Sequence, residues 1–195
     1  MAKNNLKDNK EEIERLVVLV QEGEHDAFSK IYDFFVDPLF RYIYYRVKAV
    51  DAEDLLEVVF LKVWENIKKY KAGKSSFSAW IFRITHNVVV DYYRTTSGKE
   101  TSELTLNISD TKREHNPIKT TELVLDNEIL KEALSKLKKR YRDIIIYKFI
   151  NELSNKEICE LLKKSEGSVR ILQFRALKAL RKVMEDMGVK YEFYS

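Results

Sequence analysis

Residues 154–182, SNKEICELLKKSEGSVRILQFRALKALRK, constrain the fold more than any other stretch. Ser154 suits a helix N-cap and Glu157 stands three residues later, the spacing of a capping box. Ile158, Leu161 and Leu162 then fall on one helical face. After the polar break Lys163-Lys164, Ser165 starts a second helix whose inward stripe is Val169, Leu172, Ala176, Leu180 and Val183. That leaves Ser168, Arg170, Ile171, Gln173, Phe174 and Arg175 facing out near its start. Five cations (Arg170, Arg175, Lys178, Arg181, Lys182) stand there against one acid, Glu166. Two tight helices, the second basic and outward-facing at its beginning, have the layout of a helix-turn-helix, which puts such a face into a DNA major groove. A basic amphipathic hairpin that only packs has the same pattern.

Composition narrows the rest. Only 5 Gly and 2 Pro occur in 195 residues, with little β-type alternation, so helices are expected throughout. An apolar content of 45% is enough for two small cores. Thirty-five cations face 31 anions, so the net charge of +4 is modest and affinity for an anionic partner must come from local patches. The single Cys159 excludes an internal disulfide and reads as a small packed side chain. No uncharged apolar run is long enough to span a membrane, and the first residues lack the apolar stretch of a signal peptide, so a cytoplasmic protein is expected.

In the first half, Ile13, Leu16, Val17 and Val20 recur at helical spacing up to Gly23. A second helix starts near Asp26 and is expected to break at Asp37-Pro38. A third then carries Leu39, Ile43 and Val47 inward and Arg41, Arg46 and Lys48 outward. Asp51 is expected to cap the next helix. Its apolar residues (Leu55, Leu56, Val58, Val59, Phe60, Leu61, Val63, Trp64, Ile67) wrap most of its circumference. Such a helix is either central to a core or presents a partner surface. A lysine-rich break, KKYKAGKS, leads to Ser76 as cap of FSAWIFRITHNVVVDYYR. Trp80, Ile81, Ile84, Val88 and Tyr92 face inward there, and Arg83, Asn87, Asp91 and Arg94 line another face. Cations beside base-bonding side chains, lysines and aromatics suit single-stranded nucleic acid. A solvated Arg83–Asn87–Asp91 network fits the same spacing.

Residues 95–120 change character: nine of 26 are Ser or Thr and the apolar side chains are isolated. This reads as a linker, able to span roughly 85 Å when stretched. From Glu122 a further helix carries Leu123, Ile129, Leu130, Ala133, Leu134 and Leu137 inward, followed by the buried-looking Ile144, Ile145, Ile146, Tyr147, Phe149 and Ile150. The expected organisation is all-α: a helical domain over 1–94, a linker over 95–120, a helix-turn-helix domain over 121–187 and a tail over 188–195.

Taken together, DAEDLLEVVFLKVW, SFSAWIFRITHNVVVDYYR and GSVRILQFRALKAL resemble the sigma factors of bacterial RNA polymerase, in their small extracytoplasmic-function (ECF) class. The resemblance covers about residues 24–187. It implies a transcription initiation factor without enzymatic activity or cofactor. Its partners would be core RNA polymerase (clamp coiled coil and flap), promoter DNA and an anti-sigma factor. It further implies that Asp54, Leu55, Glu57, Phe60 and Trp64 dock on the clamp coiled coil. Residues 69–76, with Lys69, Lys71 and Lys74, would hold an unstacked base of the minus-ten element, and Arg83, Asn87, Asp91 and Arg94 would line the opened strand. Ser168, Arg170, Ile171, Phe174 and Arg175 would read the minus-thirty-five element as duplex. The chain departs from the family pattern at Glu57 (commonly Gln), Val58 (commonly an acid) and Leu172 (often basic).

Two rivals come from other classes. An autonomous helix-turn-helix regulator needs tight DNA binding of its own, and the thin net charge and the all-round apolar helix argue against it. An enzyme needs a site, and the scattered His25, His86 and His115, with no Gly-rich phosphate loop, supply none.

Overall fold

The computed structural model describes residues 6, 9–97 and 123–189. Among these every regular element is helical: α1 Lys10–Glu22, α2 Asp26–Tyr44, α3 Ala52–Asn66, α4 Phe77–Ser97, α5 Leu123–Ser135, α6 Lys139–Ile145, α7 Asn155–Leu162 and α8 Glu166–Asp186. The region expected to be a linker falls mostly outside the described residues, although α4 continues past residue 94 to Ser97.

Helix ends follow the local chemistry. Gly23 closes α1 at φ 106°, a left-handed conformation glycine takes without penalty, and its N–H donates to the Val20 carbonyl. Ser154 and Glu157 form the full capping box at α7, and the Ser165 side chain accepts from the Ser168 N–H at α8. Ser76 Oγ likewise accepts from the Ala79 N–H at 3.1 Å and so starts α4.

The first four helices pack around α2, which touches α1, α3 and α4. Tyr42, Phe35, Phe77 and Phe82 are among the largest fully buried side chains. Each such burial removes enough apolar surface to stabilise by ~1.5–3 kcal/mol. In the second half α8 packs chiefly on α6, with α5 and α7 against its flanks.

Several expectations change here. The chain does not break at Pro38: α2 runs unbroken from Asp26 to Tyr44 with Pro38 buried inside it. Burial of Phe34, Phe35 and Leu39 around the ring offsets the ~3 kcal/mol a mid-helix proline costs. Asp51 makes no side-chain cap; its Oδ2 accepts from the Tyr92 hydroxyl at 2.6 Å and so ties α3 to α4. Arg46 does not face solvent. Only 4% exposed, its guanidinium donates to Asp143 Oδ1 at 2.9 Å, from the second half of the chain. Ile129 and Phe149, read as inward, are 46% and 47% exposed. After α6 the helix widens into a π-helical turn over Ile146–Ile150, which buries Ile146 and Tyr147 but turns Phe149 outward.

The two halves therefore share one apolar core. Their contact is largely polar at its centre. The Tyr42 hydroxyl lies 3.0 Å from both the Tyr147 hydroxyl and His86 Nδ1. The Arg46 guanidinium sits 3.6 Å from the Tyr42 ring centroid.

Candidate nucleic-acid and polymerase interfaces

The face of α3 carries the first candidate surface. Leu56, Val59 and Val63 turn into the core, while Leu61 is 59% exposed and Val58 and Trp64 40% each. Trp64 is not loose: its ring lies 4.9 Å from Phe28 and 5.2 Å from His25. Asp54 and Glu57 are exposed beside this patch, and Leu55 is half-buried. Phe60 is a correction. It is 6% exposed, covered by Tyr32 at 4.4 Å and edged by Phe28, so it supports the patch from below and does not face a partner. The exposed apolar members are Val58, Leu61 and Trp64. The resemblance-based set omitted Val58 and Leu61, although the all-round apolar pattern of the helix pointed to them.

The second surface is the lysine loop and α4. Its ends are fixed from inside. Gln21 Nε2 donates to the carbonyls of Ile67 (2.8 Å) and Tyr70 (2.9 Å). The Tyr70 ring packs against Phe77 and Trp80, and its hydroxyl reaches the Glu14 carboxylate at 2.9 Å. Burial, then that hydrogen bond, pushes the Tyr70 pKa far up, so the phenol keeps its proton and the loop its anchor. Between these fixed ends Lys69, Lys71 and Lys74 are exposed, and Gly73 turns the chain at φ 87°. Lys69 Nζ donates to Asn66 Oδ1 at 2.9 Å, which leaves Lys71 and Lys74 as the outermost charges. Along α4, Arg83, Asn87 and Arg94 are exposed on one side. Asp91 is partly exposed and pairs with Arg94 at 3.1 Å. Lysines thus lead into a helix face of cation, amide and carboxylate, mounted on a rigid aromatic base. That chemistry can follow phosphates and hydrogen-bond unpaired bases.

The third surface is the start of α8. Ser168, Arg170 and Arg175 are exposed, with Ile171 at 55% and Phe174 at 70%. Arg170 is tied to Glu166 at 2.6 Å within its own helix. Gln173, read as outward, is half-buried and donates to Asn155 Oδ1 at 3.0 Å, so it braces α8 on α7. Leu172 is half-buried against the core, which explains why a basic residue is not needed there. Two exposed apolar side chains between exposed arginines, at the N-terminal end of the second helix of a tight pair, fit a groove of duplex DNA.

Comparison with known proteins agrees with this three-surface layout. The family profile for Sigma-70 region 2 matches residues 31–98, and that for Sigma-70, region 4 matches residues 127–180; together they take up more than half of the chain. The ECF RNA polymerase sigma factor BldN of Streptomyces coelicolor is 32% identical over 174 residues, which cover 88% of this chain and 65% of BldN. The ECF RNA polymerase sigma factor SigW of Bacillus subtilis is 29% identical over 187 residues, 90% of this chain and 98% of SigW. The chain thus spans just under two thirds of BldN and nearly all of SigW. Among solved structures, CnrH in complex with the cytosolic domain of CnrY matches 88% of this chain and 96% of CnrH (TM-score 0.66, 20% identity). RpoE in complex with the anti-sigma factor NepR, from Bartonella quintana, matches 81% of this chain and 96% of RpoE (TM-score 0.65, 18% identity). At those identities the shared property is the fold. Helix order, matched regions and relatives lead to one conclusion: this chain belongs to the sigma-70 family of RNA polymerase sigma factors, in its ECF class.

Proposed function

We propose that this chain is a promoter-directing initiation subunit that binds core RNA polymerase in the cytoplasm and carries out no reaction itself. The exposed patch of Val58, Leu61 and Trp64, rimmed by Asp54 and Glu57, docks on the clamp coiled coil. The second half of the chain reaches the flap. Lys71, Lys74, Arg83, Asn87 and Arg94 hold the opened strand of the downstream element. Arg170, Ile171, Phe174 and Arg175 read the upstream element as duplex. The observation that carries this reading is that one chain presents three separate surfaces of three chemistries: apolar with acids, cationic with amides on an aromatic base, and arginine with exposed apolar groups. An autonomous regulator has use for only the last.

RpoE bound to the anti-sigma factor NepR and CnrH bound to the cytosolic domain of CnrY share this fold. We extend the first of these relations to this chain and expect an anti-sigma protein that covers one or more of the same surfaces.

Co-migration of the purified chain with core RNA polymerase on a sizing column tests the reading. A stable complex is expected without DNA. A chain that elutes alone at micromolar concentrations of both, yet shifts a duplex site tightly, would make it a free regulator.

A further inference from the structure

We propose that the contact between the two halves is an autoinhibitory latch, in which the acidic edge of α7 covers the lysine loop and the start of α4 until the halves separate. The inference rests on the function proposed above for that loop.

The latch is built from both halves. Arg46 comes from the chain just after α2, His86 from α4, Asp143 from α6 and Tyr147 from the π-helical turn. Arg46 and Asp143 pair at 2.9 Å with side chains 4% and 12% exposed, and Arg46 also donates to the Tyr42 carbonyl at 3.0 Å. Tyr42 bonds Tyr147 and His86, and Lys131 of α5 sits 3.9 Å from the Tyr44 ring centroid. A buried ion pair contributes little net stability but strongly specifies which faces meet, because parting only one member is costly. An intrachain interface with such a polar centre is of the kind that separates.

Closure places carboxylates where the strand is to go. Glu160 Oε2 accepts from the Ser76 N–H and Glu157 Oε1 from the Ser76 hydroxyl, both at 3.3 Å. The same two glutamates line one cleft with Lys74, Ser75 and Lys156. Glu160 is close enough to help raise the Tyr70 pKa, after burial and Glu14. An acidic helix thus occupies the junction whose lysines suit phosphate.

Size gives a second, independent argument. A compact chain of this length has a radius of gyration of about 16 Å, hence a diameter near 40 Å. Two elements about two turns of duplex apart, at ~34 Å per turn, lie farther apart than that. The closed chain cannot reach both at once.

The test compares full-length wild type with Asp143→Asn, which strands Arg46; Tyr147→Phe, which removes one latch hydroxyl without stranding a charge; and Glu160→Gln, which removes a covering carboxylate. Small-angle scattering reads the radius of gyration. Fluorescence anisotropy reads binding to a random-sequence single strand of about 15 nucleotides. Helix content by circular dichroism must match wild type. Asp143→Asn is expected to expand the chain by several ångströms and tighten strand binding about tenfold, as for a closed state favoured about ten to one. Tyr147→Phe should do the same to a smaller degree. Glu160→Gln should tighten the strand with no expansion. Unchanged dimensions in both latch variants would overturn the latch. Expansion without tighter strand binding would overturn the masking. Expanded variants that also fail to bind core polymerase would instead remove the function on which the inference rests.

Discussion

Arg175 and His86 show how single side chains carry separate duties. Arg175 is exposed, and an arginine that pairs bidentately with guanine is worth ~1–3 kcal/mol of discrimination. Arg175→Ala is therefore expected to weaken binding of the upstream duplex element by roughly five-fold to a hundred-fold while core polymerase binding stays unchanged. Equal loss in both titrations would contradict its assignment. His86 is half-buried with Nδ1 on the Tyr42 hydroxyl. Burial lowers its pKa below 6.5; Arg46 and Lys139 act in the same direction and Asp143 against it. With the folded value below the unfolded one, the unfolded chain binds more protons in the window between them. Stability therefore falls as pH drops from 6.5 through the folded value. Urea midpoints between about pH 7.5 and 5.5 should fall less steeply for His86→Gln than for wild type. Parallel slopes would rule out this histidine as a source of the pH dependence.

Among the elements, α3 separates what docks from what supports. Leu61 is 59% exposed, so Leu61→Glu should change stability by only about 0.5 kcal/mol but weaken core polymerase binding by at least about tenfold. Phe60, under Tyr32 and Phe28, should behave in the opposite way. Phe60→Ala is expected to cost ~3–5 kcal/mol in denaturant unfolding. Titration of labelled core polymerase alongside unfolding curves distinguishes the two, and a reversed pattern would show that the surface is drawn wrongly. The capping box of α7 and the left-handed stop at Gly23 were legible because the signal lies within four residues of its effect. Phe60 was not, because which side of an all-round apolar helix faces inward depends on α2.

At the scale of the molecule, the all-helical class, the position of the helix-turn-helix and the identity of most exposed site residues could be read from periodicity and motif. The closed arrangement could not. Arg46 looks like a surface cation beside Arg41 and Lys48, and its partner Asp143 is 97 positions away. No local pattern couples them. Pro38 misled for a related reason: its cost is local, whereas the burial that offsets it comes from other helices. The sequence-level picture of two lobes on a tether and the structure's single shared core describe the same chain before and after the latch parts.

The most direct measurement is run-off transcription by core RNA polymerase plus this chain on a library randomised upstream of the start site, with the active templates sequenced. The account predicts two enriched elements at fixed separation, the upstream one lost with Arg175→Ala, and no product from core polymerase alone. An absence of initiation above core polymerase alone, in the presence of intact folded chain, would contradict it.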